Sequence, residues 1–127
     1  MAYAYDDQNI FAKILRGEIP NDTVMETEHC LAFRDIAPQA PSHVLVIPKG
    51  AYVNYDHFAM EASADEIVDF ARTVAEVAKA EGVTPGNGGN GYRLVSNAGP
   101  DGVQEVPHLH FHVVGKRNLG RILQPAK

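Results

Sequence analysis

The sequence has few cysteines to cross-link the chain and no long apolar segment to cross a membrane. It contains one cysteine, Cys30, and no tryptophan. One cysteine cannot form an intrachain disulfide or a thiolate zinc cluster, and free thiols are typical of a reducing compartment. Residues 1–9 lack the pattern of a signal sequence, and no apolar run approaches the roughly 18 residues that span a bilayer. We therefore expect a cytoplasmic protein without a membrane segment.

Positive charge is also scarce. The 127 residues include 11 Lys and Arg against 16 Asp and Glu, which gives a net charge of −5 with histidine neutral. An acidic balance argues against broad binding to nucleic acid, although a small pocket could still hold one nucleotide. The length predicts a single domain over residues 1–127, with enough apolar surface for a core.

Local patterns predict an α+β fold. Residues 63–66 form a capping box that opens a long amphipathic helix, and a shorter helix is expected between Asn9 and Gly17. Residues 85–91 read as a glycine-rich loop, because a phosphate-binding loop runs from strand to helix and ends in Gly-Lys-Ser/Thr. The other apolar segments predict strands of a mainly antiparallel sheet at 24–27, 31–34, 43–47, 92–96 and 109–114.

Histidine is the abundant residue, with six in all and three at alternate positions. In a strand, His108, His110 and His112 would share one face, while Leu109 and Phe111 would join the core on the other. We call these three the histidine row. Chance placement is improbable, because histidine has low β-propensity and is costly to desolvate. The row therefore indicates a function.

Metal binding is the first alternative for the row, because imidazole is the commonest zinc ligand. A rise of about 3.4 Å per residue separates the outer two histidines by about 13.6 Å, too far for all three to share one ion. Zinc held by two of them and other groups is possible but is not expected for catalysis. Phosphoryl or nucleotidyl transfer suits the row better, since imidazole with a pKa of about 6.5 serves as nucleophile or acid.

The pattern His-φ-His-φ-His-φ-φ, with φ apolar, resembles the signature of the histidine triad superfamily, and residues 108–114 match it completely. Residues 10–14, 18–20, 30–49 and 92–97 are similar to the nucleotide-binding (HINT) branch. The resemblance implies an antiparallel sheet with one long and one short helix, extended across a homodimer. It also implies a purine nucleoside phosphoramidase, which cleaves the P–N bond of nucleoside 5′-phosphoramidates and requires no cofactor.

The resemblance assigns roles to individual residues. His110 would be the nucleophile, and His112 would contact the phosphate and the leaving group as acid and then base. His108 and His43 would hold the row by hydrogen bonds, and Asp35 would accept both ribose hydroxyls. Further ligand contacts are implied for Asn97, Gln104 and Glu105 toward the phosphate, and for Ile10, Phe11, Ile14, Phe33 and Ile36 around the base.

Several of these residues also have plainer interpretations. By itself Asp35 would be a turn carboxylate, Asn97 a turn residue and His43 a satisfied core histidine, and the apolar residues would be ordinary core. His29 and His57 have no counterpart in the resemblance, and we expect them at the surface. A dinucleoside polyphosphate hydrolase and a nucleotide-binding adaptor protein with residual activity stay open as alternative functions.

Two positions depart from the family pattern. Val103 replaces a glycine whose bare backbone can approach phosphate, and Glu105 stands where other members place a hydroxyl. A carboxylate there would favour a cationic amine as the leaving group. The tail, residues 116–127, lacks the tryptophan of some members, and we expect it at the dimer interface or at the rim of the site.

Overall fold

The computed structural model describes residues 3–123, and its centre is a five-stranded antiparallel sheet in the order β1-β2-β3-β5-β4. The predicted α+β fold is confirmed, and within the described residues no helix is long and apolar enough to cross a membrane. The strands are β1 (Thr23–Glu26), β2 (Cys30–Arg34), β3 (Ser42–Pro48), β4 (Tyr92–Val95) and β5 (Phe111–Gly115). The helices are α1 (Ile10–Leu15), α2 (Tyr55–Glu61) and α3 (Ala64–Ala80), followed by a 3-10 turn at Pro85–Asn87.

Side-chain caps explain where the two predicted helices begin. The Asn9 side chain accepts from the backbone N–H groups of Phe11 and Ala12, which have no partner inside the first turn of α1. Ser63 and Glu66 form the reciprocal capping box at the start of α3. Both predicted helix starts are confirmed.

Helix α2 was not expected from the sequence. Its seven residues bury only Phe58, while Tyr55 and Met60 are exposed, so it carries no apolar stripe that a helical period could reveal. Asn54 opens it by accepting from the His57 N–H. A short helix of this kind depends on contacts with the rest of the fold.

The sheet separates two apolar clusters, because successive strand residues point to opposite faces. One face packs under α3 and α2, and the other packs under α1. The first cluster includes Cys30, Ala32, Val44, Val46, Phe58, Phe70, Val74, Val77, Leu109 and Val113, with Phe111 packed against it. The second consists of Phe11, Ile14, Leu31, Phe33, Leu45 and Ile47, with Leu15, Ile19 and Val106 packed against it. The face under α1 is the one that receives the histidines.

The strand that carries the row begins later than predicted. β5 joins the ladder only at Phe111, and before it the Leu109 N–H bonds to the Tyr52 carbonyl instead of a neighbouring strand. The alternation nevertheless holds, since Leu109, Phe111 and Val113 all enter the cluster under α3. His108 and His110 thus lie on an extended lead into β5, and only His112 lies within it.

Candidate active site

The histidine row lies against α1. The Phe11 ring packs edge-on against the His110 ring, with centroids 5.0 Å apart, and the His110 and His112 rings are 5.1 Å apart. His108 is fully buried, and His110 is 7% exposed. The expected arrangement of three imidazoles on one face is therefore present, with most of the row withdrawn from solvent.

Hydrogen bonding fixes the tautomer of His110. Its Nδ1 lies 2.8 Å from the His108 carbonyl oxygen, which can only accept, so Nδ1 carries the proton. The lone pair then sits on Nε2, which has no hydrogen-bond partner among the described residues. Burial lowers the pKa of His110, so the imidazole is neutral near pH 7. A neutral ring with a free Nε2 lone pair is the nucleophilic form of histidine.

His108 is held at both ring nitrogens. Its Nε2–H donates to the Pro48 carbonyl at 2.8 Å, which leaves Nδ1 as an acceptor for the Tyr5 hydroxyl at 2.6 Å. Burial lowers the pKa of His108 to about 4. His108 is a neutral, fully bonded support for the row.

His43 and His112 form a second bonded pair. The Gln39 N–H donates to His43 Nδ1 at 3.1 Å, so His43 carries its proton on Nε2. That proton is donated to His112 Nδ1 at 2.8 Å, and His112 is left with an Nε2–H. Burial lowers the pKa of both imidazoles, that of His112 to about 4. A neutral His112 can thus donate a hydrogen bond from Nε2 to an anionic ligand.

Asp35 lies beside this pair at the end of β2. One carboxylate oxygen accepts the Ala37 N–H at 2.8 Å, which fixes the turn, and the other lies 3.4 Å from His43 Nε2. Its negative charge opposes the burial that lowers the pKa of His43, His110 and His112. Asp35 is a turn carboxylate, as the plainer interpretation held, and it also acts electrostatically on the site.

The apolar candidates divide into two groups. Phe11, Ile14 and Phe33 are buried in the cluster under α1. Ile36 is 97% exposed and Ile10 is 44% exposed, which leaves both side chains open to a ligand. The structure brings Phe11 to the row by direct ring contact and leaves Ile10 and Ile36 as exposed apolar groups.

Two amide side chains to which the family resemblance assigns phosphate contacts hold the segment before the row. Asn97 Nδ2 donates to the Gly102 carbonyl, and Gln104 Nε2 donates to the Val53 carbonyl at 2.6 Å. Between them, Val103 has φ +54° and is 68% exposed, although a β-branched residue is strained in the left-handed region. Glu105 is exposed, and its charge raises the pKa of His110 against the larger effect of burial.

The expected surface position of His57 is wrong. Its side chain is 12% exposed, Nδ1 accepts the Val53 N–H at 3.0 Å, and its ring packs beside Tyr3 and Tyr52. His29 is partly buried. Sequence reasoning also missed Tyr5, because no local pattern shows that a residue 103 positions away contacts His108.

One group of side chains among the described residues is spaced closely enough to hold a metal ion: the ligand atoms of Asp35, His43 and His112 lie within 4.8 Å of one another. A zinc ion needs a lone pair on each imidazole nitrogen that binds it. The Gln39 N–H occupies the lone pair of His43 Nδ1, so the Nε2 that faces His112 carries a proton. As bonded here, the three groups do not fit zinc.

Comparison with known proteins identifies the family to which this fold belongs. The HIT domain matches residues 16–119. A HIT-like protein of Azospirillum brasilense is 55% identical over 123 residues, 97% of this chain and 98% of that protein. A purine nucleoside phosphoramidase of Escherichia coli is 39% identical over 120 residues, 92% of this chain and 94% of that protein. A solved HIT family hydrolase from Clostridium thermocellum is 34% identical, with a TM-score of 0.79 over 93% of this chain and 99% of that one. Since the family model, the relatives and the solved structure all match most of this chain, the chain belongs to the HIT domain family.

Proposed function

We propose that this protein is a hydrolase of purine nucleoside 5′-phosphoramidates that works through a covalent nucleotidyl-His110 intermediate. The hydrogen bond from His110 Nδ1–H to the His108 carbonyl carries the proposal, because it leaves the Nε2 lone pair free for attack on phosphorus. The phosphoramidase relative, 39% identical over most of both chains, supports the substrate class.

In the first step, His110 Nε2 attacks phosphorus while the bond from phosphorus to the amine nitrogen breaks. The amine must take up a proton as it leaves, and we propose the His43–His112 pair as its source, because the His112 ring lies 5.1 Å from the His110 ring. In the free protein burial keeps both rings neutral, but an anionic phosphate raises the pKa of imidazoles beside it. The pair therefore holds one extra proton in the substrate complex. The extra proton would sit on His112 Nδ1 while the His43 Nε2–H turns to the Asp35 carboxylate 3.4 Å away, and His112 would then give its Nε2 proton to the amine.

In the second step, water attacks phosphorus and the bond to His110 Nε2 breaks. The pair takes one proton from the water, which restores its charge, and the remaining hydroxyl group stays on phosphorus in the nucleoside monophosphate that leaves. Asp35 favours the charged state of the pair, because its carboxylate lies 3.4 Å from His43 Nε2. The two steps need no group beyond the imidazoles and water.

We propose that the nucleoside lies between Asp35 and the exposed apolar groups. The Asp35 carboxylate, whose oxygens can each accept more than one hydrogen bond, would accept the ribose hydroxyls, and Ile10 and Ile36 would cover the base. Burying the exposed Ile36 against a purine removes apolar surface from water, which favours binding by about 25 cal/mol per Å². Asn97, Gln104 and Glu105 would border the phosphate from the segment before the row.

The proposal is tested by measuring kcat/KM for adenosine 5′-phosphoramidate and for a diadenosine polyphosphate, each with and without a chelator. We expect the phosphoramidate to be preferred and its hydrolysis to persist in the chelator. Preference for the polyphosphate would favour the alternative hydrolase, and nucleotide binding without turnover would favour an adaptor. Loss of activity on chelation that added zinc restores would contradict a metal-free mechanism.

Glu105 offers a test of leaving-group preference. An exposed carboxylate near His110 should attract an amine that carries a positive charge, such as a lysine derivative, over a neutral aryl amine. Replacing Glu105 with serine should reduce the ratio of the two kcat/KM values by about two- to fivefold, the size of one exposed charge pair. An unchanged ratio would show that Glu105 plays no part in this selection.

We further propose that the protein acts as a homodimer. An apolar groove of about 240 Å³ lies between α2, α3 and the sheet, and its lining includes Tyr55, Phe70, Leu94 and Phe111. Within the described residues β4 pairs only with β5, and its Tyr92 and Leu94 are each 42% exposed. A second copy would cover both features.

Sedimentation equilibrium should give twice the chain mass, and Leu94→Arg should shift the measured mass toward that of the monomer.

The tail lies near the same edge of the sheet. The Arg93 guanidinium donates to the Gly120 carbonyl, and that of Arg117 donates to the Gln39 carbonyl beside the site. These bonds support the proposal that the tail lies at the dimer interface or at the rim of the site, while residues 124–127 lie outside the described part. We also propose that residues 1–127 act as one domain in the cytoplasm. The buried Cys30, which forms no disulfide, is compatible with that location.

A further inference from the structure

The N-terminal segment reaches the histidine row through Tyr5. The Tyr5 hydroxyl lies 2.6 Å from His108 Nδ1, and the two rings pack edge to face with centroids 5.6 Å apart. The mechanism above assigns no role to this contact. It is the one side-chain partner of His108 in the hydrogen-bond network of residues 3–123.

The direction of this hydrogen bond follows from the other end of the ring. His108 Nε2 lies 2.8 Å from the Pro48 carbonyl oxygen, which can only accept, so the single proton of the neutral ring is on Nε2. Nδ1 is therefore an acceptor, and the Tyr5 hydroxyl donates to it. His108 is fully buried, so without that hydroxyl its Nδ1 would lose the one hydrogen-bond partner that it has among residues 3–123.

The next bond connects His108 to the nucleophile. The His108 carbonyl accepts the Nδ1–H of His110 at 2.8 Å, and that bond determines which nitrogen of His110 keeps the lone pair. Tyr5, His108 and His110 thus form one continuous chain of contacts. A shift of His108 in its pocket moves the carbonyl that orients His110.

The backbone that follows Tyr5 is held by the residues that cap the two ends of α1. The Asn9 side chain, which caps α1, donates to the Asp6 carbonyl at 2.7 Å, and the Arg16 guanidinium donates to the Asp7 carbonyl at 2.7 Å. Burial raises the pKa of the Tyr5 hydroxyl, which keeps it protonated as a donor. The segment is therefore a fixed part of the site, although it precedes the region matched to the HIT domain.

We propose that Tyr5 is a positioning residue. It holds His108 in the Nε2–H tautomer and so keeps the bond from His110 Nδ1–H to the His108 carbonyl in the orientation that exposes the His110 Nε2 lone pair. Its kinetic consequence rests on the proposed function. The hydrogen-bond chain itself can be observed without any substrate.

The test compares wild type with Tyr5→Phe, which removes the hydroxyl and keeps the ring, and with Tyr3→Phe as a matched control. Tyr3 lies on the same segment, but its hydroxyl donates to Asp56 at 2.7 Å, away from the row. With ¹⁵N-labelled histidine at pH 7.5, the Nδ1 resonance of His108 should move toward that of an unbonded nitrogen in Tyr5→Phe alone. The His29 resonances should stay in place in both variants and show that each is folded, because His29 is anchored to α3 through Asp69 and contacts neither tyrosine.

The kinetic part measures the single-turnover rate of nucleotidyl transfer to His110 and the KM for adenosine 5′-phosphoramidate. Tyr5→Phe should slow transfer by about three- to tenfold, the effect of one hydrogen bond, and leave KM unchanged. Unchanged His108 resonances, or equal losses in Tyr3→Phe, would overturn the proposal. So would moved resonances with an unchanged transfer rate. If wild type shows no turnover, the proposed function fails, and the resonances alone decide whether Tyr5 holds His108.

Discussion

Replacing His110 with alanine should lower kcat/KM for adenosine 5′-phosphoramidate by about 10⁴-fold or more, the scale on which a covalent nucleophile is lost. The reason is geometric, because His110 is the ring whose Nε2 the hydrogen bonds leave free, while both nitrogens of His108 are bonded. His110→Gln, closer in volume, should be equally inactive. That second variant separates loss of the nucleophile from loss of packing against Phe11.

The role of His110 can also be tested directly, by detecting the covalent intermediate. Rapid quenching of wild type during turnover in alkaline denaturant, followed by mass spectrometry, should show one nucleotidyl group on the peptide that contains His110. His29→Ala, which removes an imidazole outside the site, should retain the adduct and the activity. Full activity in His110→Ala, or an adduct on another residue, would reject the mechanism.

The sequence was sufficient for the parts of the site that depend on strand geometry. Alternation at residues 108–113 placed three imidazoles on one face and Leu109, Phe111 and Val113 on the other, and the two clusters of the fold separate them in this way. The helix caps at Asn9 and Ser63 could also be predicted from the sequence, because each involves only side chains within three residues of the helix start.

What the sequence could not show depends on contacts between distant segments. The tautomer of His110 follows from a carbonyl oxygen, and that of His43 from the backbone N–H of Gln39. Tyr5 meets His108 across 103 positions, and His57 is enclosed by aromatic rings from the N-terminal segment and from the loop before α2. No period or local motif encodes such pairs.

The same burial that keeps the row neutral should make the protein sensitive to acid. The pKa of His108 is lowered to about 4, as is that of His112, below the value of about 6.5 that each ring has in an unfolded chain. Between these values the unfolded chain binds protons that the native protein does not. The free energy of unfolding must therefore fall as pH falls below about 6.5, and the loss stops growing below about pH 4.

For His108, which is fully buried, the full loss is on the order of 3 kcal/mol. Carboxylates with a lowered pKa, such as Glu81 held by Arg34 and Ser42, add their own loss only below about pH 4.5, where the unfolded carboxyl is protonated. Between pH 6.5 and 4.5, the decline in the free energy of unfolding therefore comes mainly from the imidazoles. Urea unfolding of wild type should show most of the decline there.

His108→Gln is the variant that tests this assignment. It removes one buried imidazole, so its free energy of unfolding should fall less steeply than that of wild type between pH 6.5 and 4.5. Leu109→Val, at the neighbouring buried position, serves as the control because it lowers stability without removing a titratable group. Its curve should lie below that of wild type and keep the same slope. Equal slopes in wild type and His108→Gln would contradict the assignment, because they would mean that native His108 binds its proton as readily as the unfolded chain does.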